Sequence, residues 1–193
     1  MTTTDTREKI LKAAQATVQA KGYNALSFRE LAKEVGVKSA SIHYYFPTKG
    51  DLGAELARRY TDTAVSHFER LISSPAPVAL VFAEYVAVFR AALKNDNRMC
   101  LYGVMAAEYG DLPGEVRVAV DAFSQANVDW LARLLGPRHP ELPPEDLRDR
   151  ALAIFAAIEG AQLVARGRGD IRVFDQMVEA YGAAGLMPRP PSP

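Results

Sequence analysis

The stretch that decides the fold is Ser27–Lys49, SFRELAKEVGVKSASIHYYFPTK. Ser27, followed three residues later by Glu30, has the spacing of a capping box and opens a helix. Phe28, Leu31, Ala32 and Val35 recur at i, i+3, i+4 and i+7, which gives that helix one apolar face to bury. Gly36 stands where a sharp turn between helices needs a left-handed residue. Ser39 is placed to cap the next helix, and Phe46 ends it because a residue before proline is pushed out of helical geometry. With about 3.6 residues per turn, Ile42, Tyr45 and Phe46 share an inward face, and Ala40, Ser41, His43 and Tyr44 point outward. Two short helices joined in this way are a shape that places the second helix in the major groove of DNA.

The outward residues suit that task. Small side chains let the helix approach base edges, alanine can touch a thymine methyl, and Ser, His and Tyr can hydrogen-bond bases or phosphates. Lys38 and Ser39 before the helix, Lys49 after it, and Ser27 and Arg29 at the start of the preceding helix are candidate phosphate contacts. The formal net charge is zero, yet residues 1–50 hold eight basic and four acidic side chains and so carry +4, against −4 for the remainder. A basic head on an acidic body fits phosphate contact at one end. On spacing alone, a plain helical hairpin with an exposed tyrosine fits as well.

Working outward, Thr6–Lys21 is expected to be a helix, with Ile10, Leu11, Ala14 and Val18 on one face and Gly22 as its stop. Thr48 and Asp51 open a long helix that Ser73-Ser74-Pro75 closes. Further helices are expected near 76–94, 97–109, 114–135, 144–167 and 170–185, about nine in all, with no alternating strand pattern. The fold class is all-α: a DNA-binding domain over residues 1–47, a larger helical domain over 48–187, and a proline-rich disordered tail over 188–193. No internal repeat or sustained heptad occurs. The N-terminus has charges where a signal peptide needs an apolar run, no segment reaches transmembrane length, and one cysteine, Cys100, fits a reducing compartment. A soluble, cytoplasmic protein is expected.

Residues 7–53 resemble the N-terminal domain of the TetR family of bacterial transcriptional regulators. The likeness rests on I-L-x-A-A at Ile10–Ala14, K-G-Y at Lys21–Tyr23, S-F-R-E-L-A-K-E-V-G-V at Ser27–Val37 and, most specifically, S-I-H-Y-Y-F-P-T-K-G-D-L at Ser41–Leu52. His43 stands where the family usually has tyrosine, which puts an imidazole in place of a phenol contact. The resemblance implies a dimeric repressor that binds a near-palindromic double-stranded DNA operator and is released by a small molecule or an electrophile. It also implies a homodimer through the last two helices, which are apolar on more than one face around Ile154, Phe155, Ile158, Leu163, Val164, Phe174 and Val178. A constitutive DNA-binding or activating protein of the same fold is the alternative, and an enzyme using Cys100 is a third reading.

Ligand-lining candidates in the second domain are Tyr85, Phe89, Met99, Cys100, Tyr102, Met105, Phe123, Asn127, Trp130 and Gln162. Core packing explains most of the aromatic and methionine side chains equally well, whereas Asn127 and Gln162 would either orient a ligand or face solvent. With Asn95-Asp96-Asn97 read as a cap, Cys100 falls in a first helical turn near Arg98, where a thiolate would be stabilised; a buried structural cysteine is the other reading. His43, His67 and His139 are scattered, and no metal spacing, P-loop or dinucleotide fingerprint occurs, so no metal, cofactor or enzyme activity is expected.

Overall fold

A computed structural model describes residues 3–189, with side chains from residue 5. The described residues form nine α-helices and no strand: α1 (Thr3–Lys21), α2 (Phe28–Val35), α3 (Ser39–Tyr45), α4 (Lys49–Ile72), α5 (Val78–Lys94), α6 (Leu101–Ala107), α7 (Gly114–Leu135), α8 (Pro144–Arg168) and α9 (Ile171–Ala183). Among them no helix is long and apolar enough to cross a membrane. The chain separates into two compact units, Met1–Thr61 with Leu101–Phe123, and Asp62–Cys100 with Ser124–Pro193. The division therefore runs within α4 and α7, whereas the sequence reading drew one boundary at 47/48.

In the first unit the apolar stripe read from the sequence forms the core. Ile10, Leu11, Ala14 and Val18 of α1 are buried with Leu31 and Ala32 of α2, Ile42 of α3, and Leu52 and Leu56 of α4. Leu101 and Met105 of α6 and Val116 of α7 complete it. Capping agrees with the sequence at two helices. The Ser27 hydroxyl accepts from the Glu30 N–H at the head of α2, and Gly36 closes α2 at φ 76°. Before α4, the Asp51 N–H donates to the Thr48 hydroxyl and the Thr48 N–H to the Asp51 carboxylate, each at 3.0 Å. α3 starts one residue differently: Lys38 holds the extended N-cap position without a side-chain hydrogen bond, and Ser39 is already helical.

The second unit is built around an aromatic cluster. The rings of Tyr85 and Phe68 both lie 5.0 Å from Trp130, and the Trp130 indole N–H donates to the Phe68 carbonyl at 2.8 Å. Gly169, at φ 63°, turns α8 into α9, and the Asp170 side chain accepts from the Arg172 N–H. The helix expected over 97–109 is shorter. Asp96 and Asn97 take positive φ of 58° and 54°, and the Arg98 N–H donates back to Ala92 and Asn95. These residues close α5 rather than open α6. The tail expected at 188–193 lies outside the described residues from 190 onward. Before that point Met187 is buried, and the Arg189 guanidinium donates to the Gly182 carbonyl, so Arg189, within the expected tail, is held to α9.

Asp51→Ala removes one half of the α4 cap. It should lower the unfolding free energy by about 1 kcal/mol in urea titration while leaving the helical circular dichroism intact.

Candidate nucleic-acid interface and the interior of the second unit

α3 is held by one face and offers the other. Ile42 and Phe46 are buried, whereas Ala40, His43 and Tyr44 are exposed and Ser41 is half-buried. Tyr44 is 77% exposed, and its ring meets that of Tyr45 edge-on with centroids 5.1 Å apart. An aromatic ring so far in water is held by its own fold along one edge only, and its hydroxyl is available to an outside acceptor. His43 is positioned from two sides. Its ring meets Phe28 edge-on at 4.7 Å, and Nδ1 lies 3.3 Å from the Pro47 carbonyl. With the proton on Nδ1 this is a hydrogen bond, which leaves Nε2 as the nitrogen for an external partner.

The predicted phosphate contacts divide. Lys38, Ser39 and Arg29 are exposed and Ser27 is half-buried. Arg29 reaches only Glu30, at 3.2 Å and at the surface, a contact that competes weakly with a phosphate. Lys49 is not the simple surface anchor that the sequence suggests. Its ammonium donates to the Asn24 carbonyl at 3.2 Å and lies 4.6 Å from the centroid of the Tyr23 ring. Partial burial holds its pKa below the ordinary lysine value, while Glu108 pushes the other way. Three ammonium protons leave donors for a phosphate beyond the one used.

Sequence reasoning passed over the residues that brace this interface. Glu108, after α6, accepts from the Asn24 N–H at 3.0 Å, and Asp111 accepts from the Asn24 side-chain amide at 2.8 Å. Their separation from Asn24 by more than eighty residues left no local signal. Across α1 and α4, Arg7 pairs with Glu55 and Arg59 with Glu8, and these arginines hold both carboxyls below the usual range.

The ligand-lining candidates divide between the two units, three in the first and seven in the second. Tyr102, Met105 and Phe123 belong to the first unit, where Tyr102 stacks on Phe123 at 5.5 Å. Tyr85, Phe89, Met99, Cys100, Asn127, Trp130 and Gln162 belong to the second and are all buried. Asn127 and Gln162 neither face solvent nor await a ligand to satisfy them. The Asn127 amide oxygen accepts from the Tyr85 hydroxyl at 2.9 Å. Gln162 donates to the Phe89 carbonyl at 2.7 Å and accepts from the Cys100 N–H at 2.9 Å. Cys100 stands immediately before α6 rather than in its first turn, and at 1% exposure it is closed off from solvent. A separate groove of about 550 Å³ runs between α5 and α9, floored by Val86, Phe174 and Val178 and edged by Arg90 and Arg189. Among the described residues no group of three or more His, Cys, Asp or Glu is arranged to hold a metal ion.

Comparison with known proteins agrees with this geometry. The family described as bacterial regulatory proteins, tetR family, matches residues 10–56. An uncharacterized HTH-type transcriptional regulator of Bacillus subtilis (strain 168) is 31% identical over 103 residues, 52% of this chain and 52% of that protein. The chain thus spans about half the length of the first curated relatives it matches. The HTH-type transcriptional repressor BepR of Brucella suis biovar 1 is 24% identical over 168 residues, 82% of this chain and 79% of its own. Among solved structures, a TetR transcriptional regulator from Legionella pneumophila superimposes with a TM-score of 0.85 at 28% identity, covering 92% of this chain and 95% of its own.

Lys49→Ala should cost about 1 kcal/mol of unfolding free energy, because it removes a hydrogen bond and a cation–π contact together. Tyr44→Ala should stay within about 0.5 kcal/mol of the parent in the same urea titration.

Proposed function

The chain belongs to the TetR family of bacterial transcriptional regulators, and from that premise we propose that it is a dimeric, ligand-responsive repressor acting on a near-palindromic operator. One observation carries the reading: α3 is anchored through Ile42 and Phe46 and leaves Ala40, His43 and Tyr44 in solvent at the end of a basic segment. Ser27, Arg29, Lys38, Ser39 and Lys49 surround that face and position it on phosphates. Ala40, Ser41, His43 and Tyr44 meet the bases or the flanking backbone. Residues 1–47 form the reading head, and the helical region to residue 187 carries the effector and dimer functions. The work is done in the cytoplasm, where the operator is. The relatives are transcriptional regulators, not enzymes.

The dimer is supported by α8. Ala151, Ile154, Phe155, Ile158 and Ala161 are buried within the chain, yet Leu152 remains 49% exposed, Leu163 59% and Val164 39%. Apolar side chains along one helix, left in water after the fold is complete, suit pairing with a second copy. Twofold symmetry would set two α3 helices about 34–36 Å apart, one turn of DNA.

Selection of bound fragments from random duplex DNA should return a near-palindrome. Tyr44→Ala should weaken binding to it by about tenfold or more in a fluorescence anisotropy titration. Lys38→Ala should reduce the salt dependence of binding by about one counterion. Unchanged affinity of Tyr44→Ala on the selected sequence would remove α3 as the reading element.

A further inference from the structure

His43 stands on the outward face of α3, one turn after Ala40, and is exposed. Its ring is nonetheless held on two sides. Phe28, at the head of α2, meets it edge-on with centroids 4.7 Å apart, and Nδ1 lies 3.3 Å from the Pro47 carbonyl beyond the helix. A carbonyl oxygen can only accept, so this contact is a hydrogen bond only when Nδ1 carries the proton. With the proton on Nε2 instead, two lone pairs would face one another. Turning the ring over would set a C–H against the carbonyl and forfeit the bond. The fold thus selects one tautomer and one orientation for a ring that water alone would leave free.

The consequence lies at the tip of the ring. With Nδ1–H committed, the neutral imidazole has a bare lone pair at Nε2, and no hydrogen bond to that atom forms among the described residues. Such a nitrogen accepts and cannot donate. It is repelled by phosphate oxygens, which are acceptors too, and by the O6 of guanine and the O4 of thymine. Its matching partners in the major groove are the N6 amine of adenine and the N4 amine of cytosine. The Tyr44 hydroxyl beside it donates as well as accepts and draws no such distinction. Ala40, on the same face, has no side chain beyond Cβ to hold the helix away from the base edges.

We propose that His43 is a specificity-determining acceptor: its Nε2 selects a base with an exocyclic amine, adenine or cytosine, at one position of each operator half-site. This rests on the reading of α3 as the element that enters the major groove, and adds which base chemistry it admits there. A guanine or thymine at that position sets an oxygen against the lone pair and is disfavoured.

Two measurements at about pH 8, chosen to keep an imidazole neutral, test the proposal. The first needs no DNA. Long-range proton–nitrogen correlation spectra of the full chain should show the Nδ1–H tautomer at His43, told apart from His67 and His139 by its loss in His43→Phe. An Nε2–H ring, or one that exchanges between the two forms, would overturn the proposal. The second uses duplexes that the parent chain selects from random sequence. One position in each half-site should be restricted to adenine or cytosine. His43→Phe, which keeps a ring against Phe28 but has no acceptor, should relax it. Replacing that adenine by purine, or that cytosine by a pyrimidinone, deletes the amine alone and should weaken parent binding about fivefold. His43→Phe should bind the intact and the amine-less duplexes equally. Equal affinity of the parent for the two duplexes, or the same loss in His43→Phe, would sink the idea. So would a variant that binds every sequence more weakly with its base preferences intact, which would assign the ring to a phosphate. The parent-only comparisons hold whether or not the variant folds. No selected sequence at all would remove the operator reading and the proposal together, whereas a selected sequence without an amine-restricted position removes the proposal alone.

Discussion

Tyr23 is the constraint on which the first unit depends. Its ring is buried against α4 so closely that a Cβ on Gly53 would meet Cε2 at 2.6 Å. Its hydroxyl donates to the Lys49 carbonyl at 3.1 Å, and the Lys49 ammonium returns over the ring to Asn24. Burial, with Glu115 nearby, pushes the phenol pKa up to about 12, so the hydroxyl keeps its proton and the bond holds across the physiological range. The α1–α2 turn and the head of α4 are thereby locked to one another. α3 has only seven residues, too few to persist alone in water, and it is sited by what lies on either side of it. The outward face of α3 is thus oriented by a tyrosine that touches nothing outside.

The second unit solves a different problem with polar groups. Gln162 ties α8 to the last turns of α5 and to the link before α6 through a single buried amide. An apolar residue of that size would fill the space and leave the Cys100 N–H without an acceptor, at a cost of about 1–3 kcal/mol. At the surface, Arg90 reaches Asp175 through two hydrogen bonds of 2.6 and 2.7 Å, which fixes how α9 lies along α5 more than it adds stability.

Local chemistry was legible in the sequence. The Ser27 and Thr48 caps, the left-handed Gly36, and the division of α3 into Ile42 and Phe46 against Ala40, His43 and Tyr44 all follow from spacing within a few residues. Interactions between distant segments were not. Nothing near Lys49 announces that its ammonium folds back onto Tyr23, and nothing near Glu108 announces Asn24. Asn95-Asp96-Asn97 misled because asparagine and aspartate serve both as helix caps and as left-handed turn residues. Two of the three took positive φ and closed α5. Asn127 and Gln162 were visible as polar residues on apolar helices, but their partners lie on other helices.

The grip of Glu108 and Asp111 on Asn24 spans 84 and 87 residues of chain. During synthesis, α1 to α3 leave the ribosome long before the carboxylates that brace them. At about 5–20 residues per second the interval amounts to several seconds or more. Through that interval the nascent helices expose the side of α1 that α6 later covers. The reading head is made well before the residues that brace it and is finished only when they arrive.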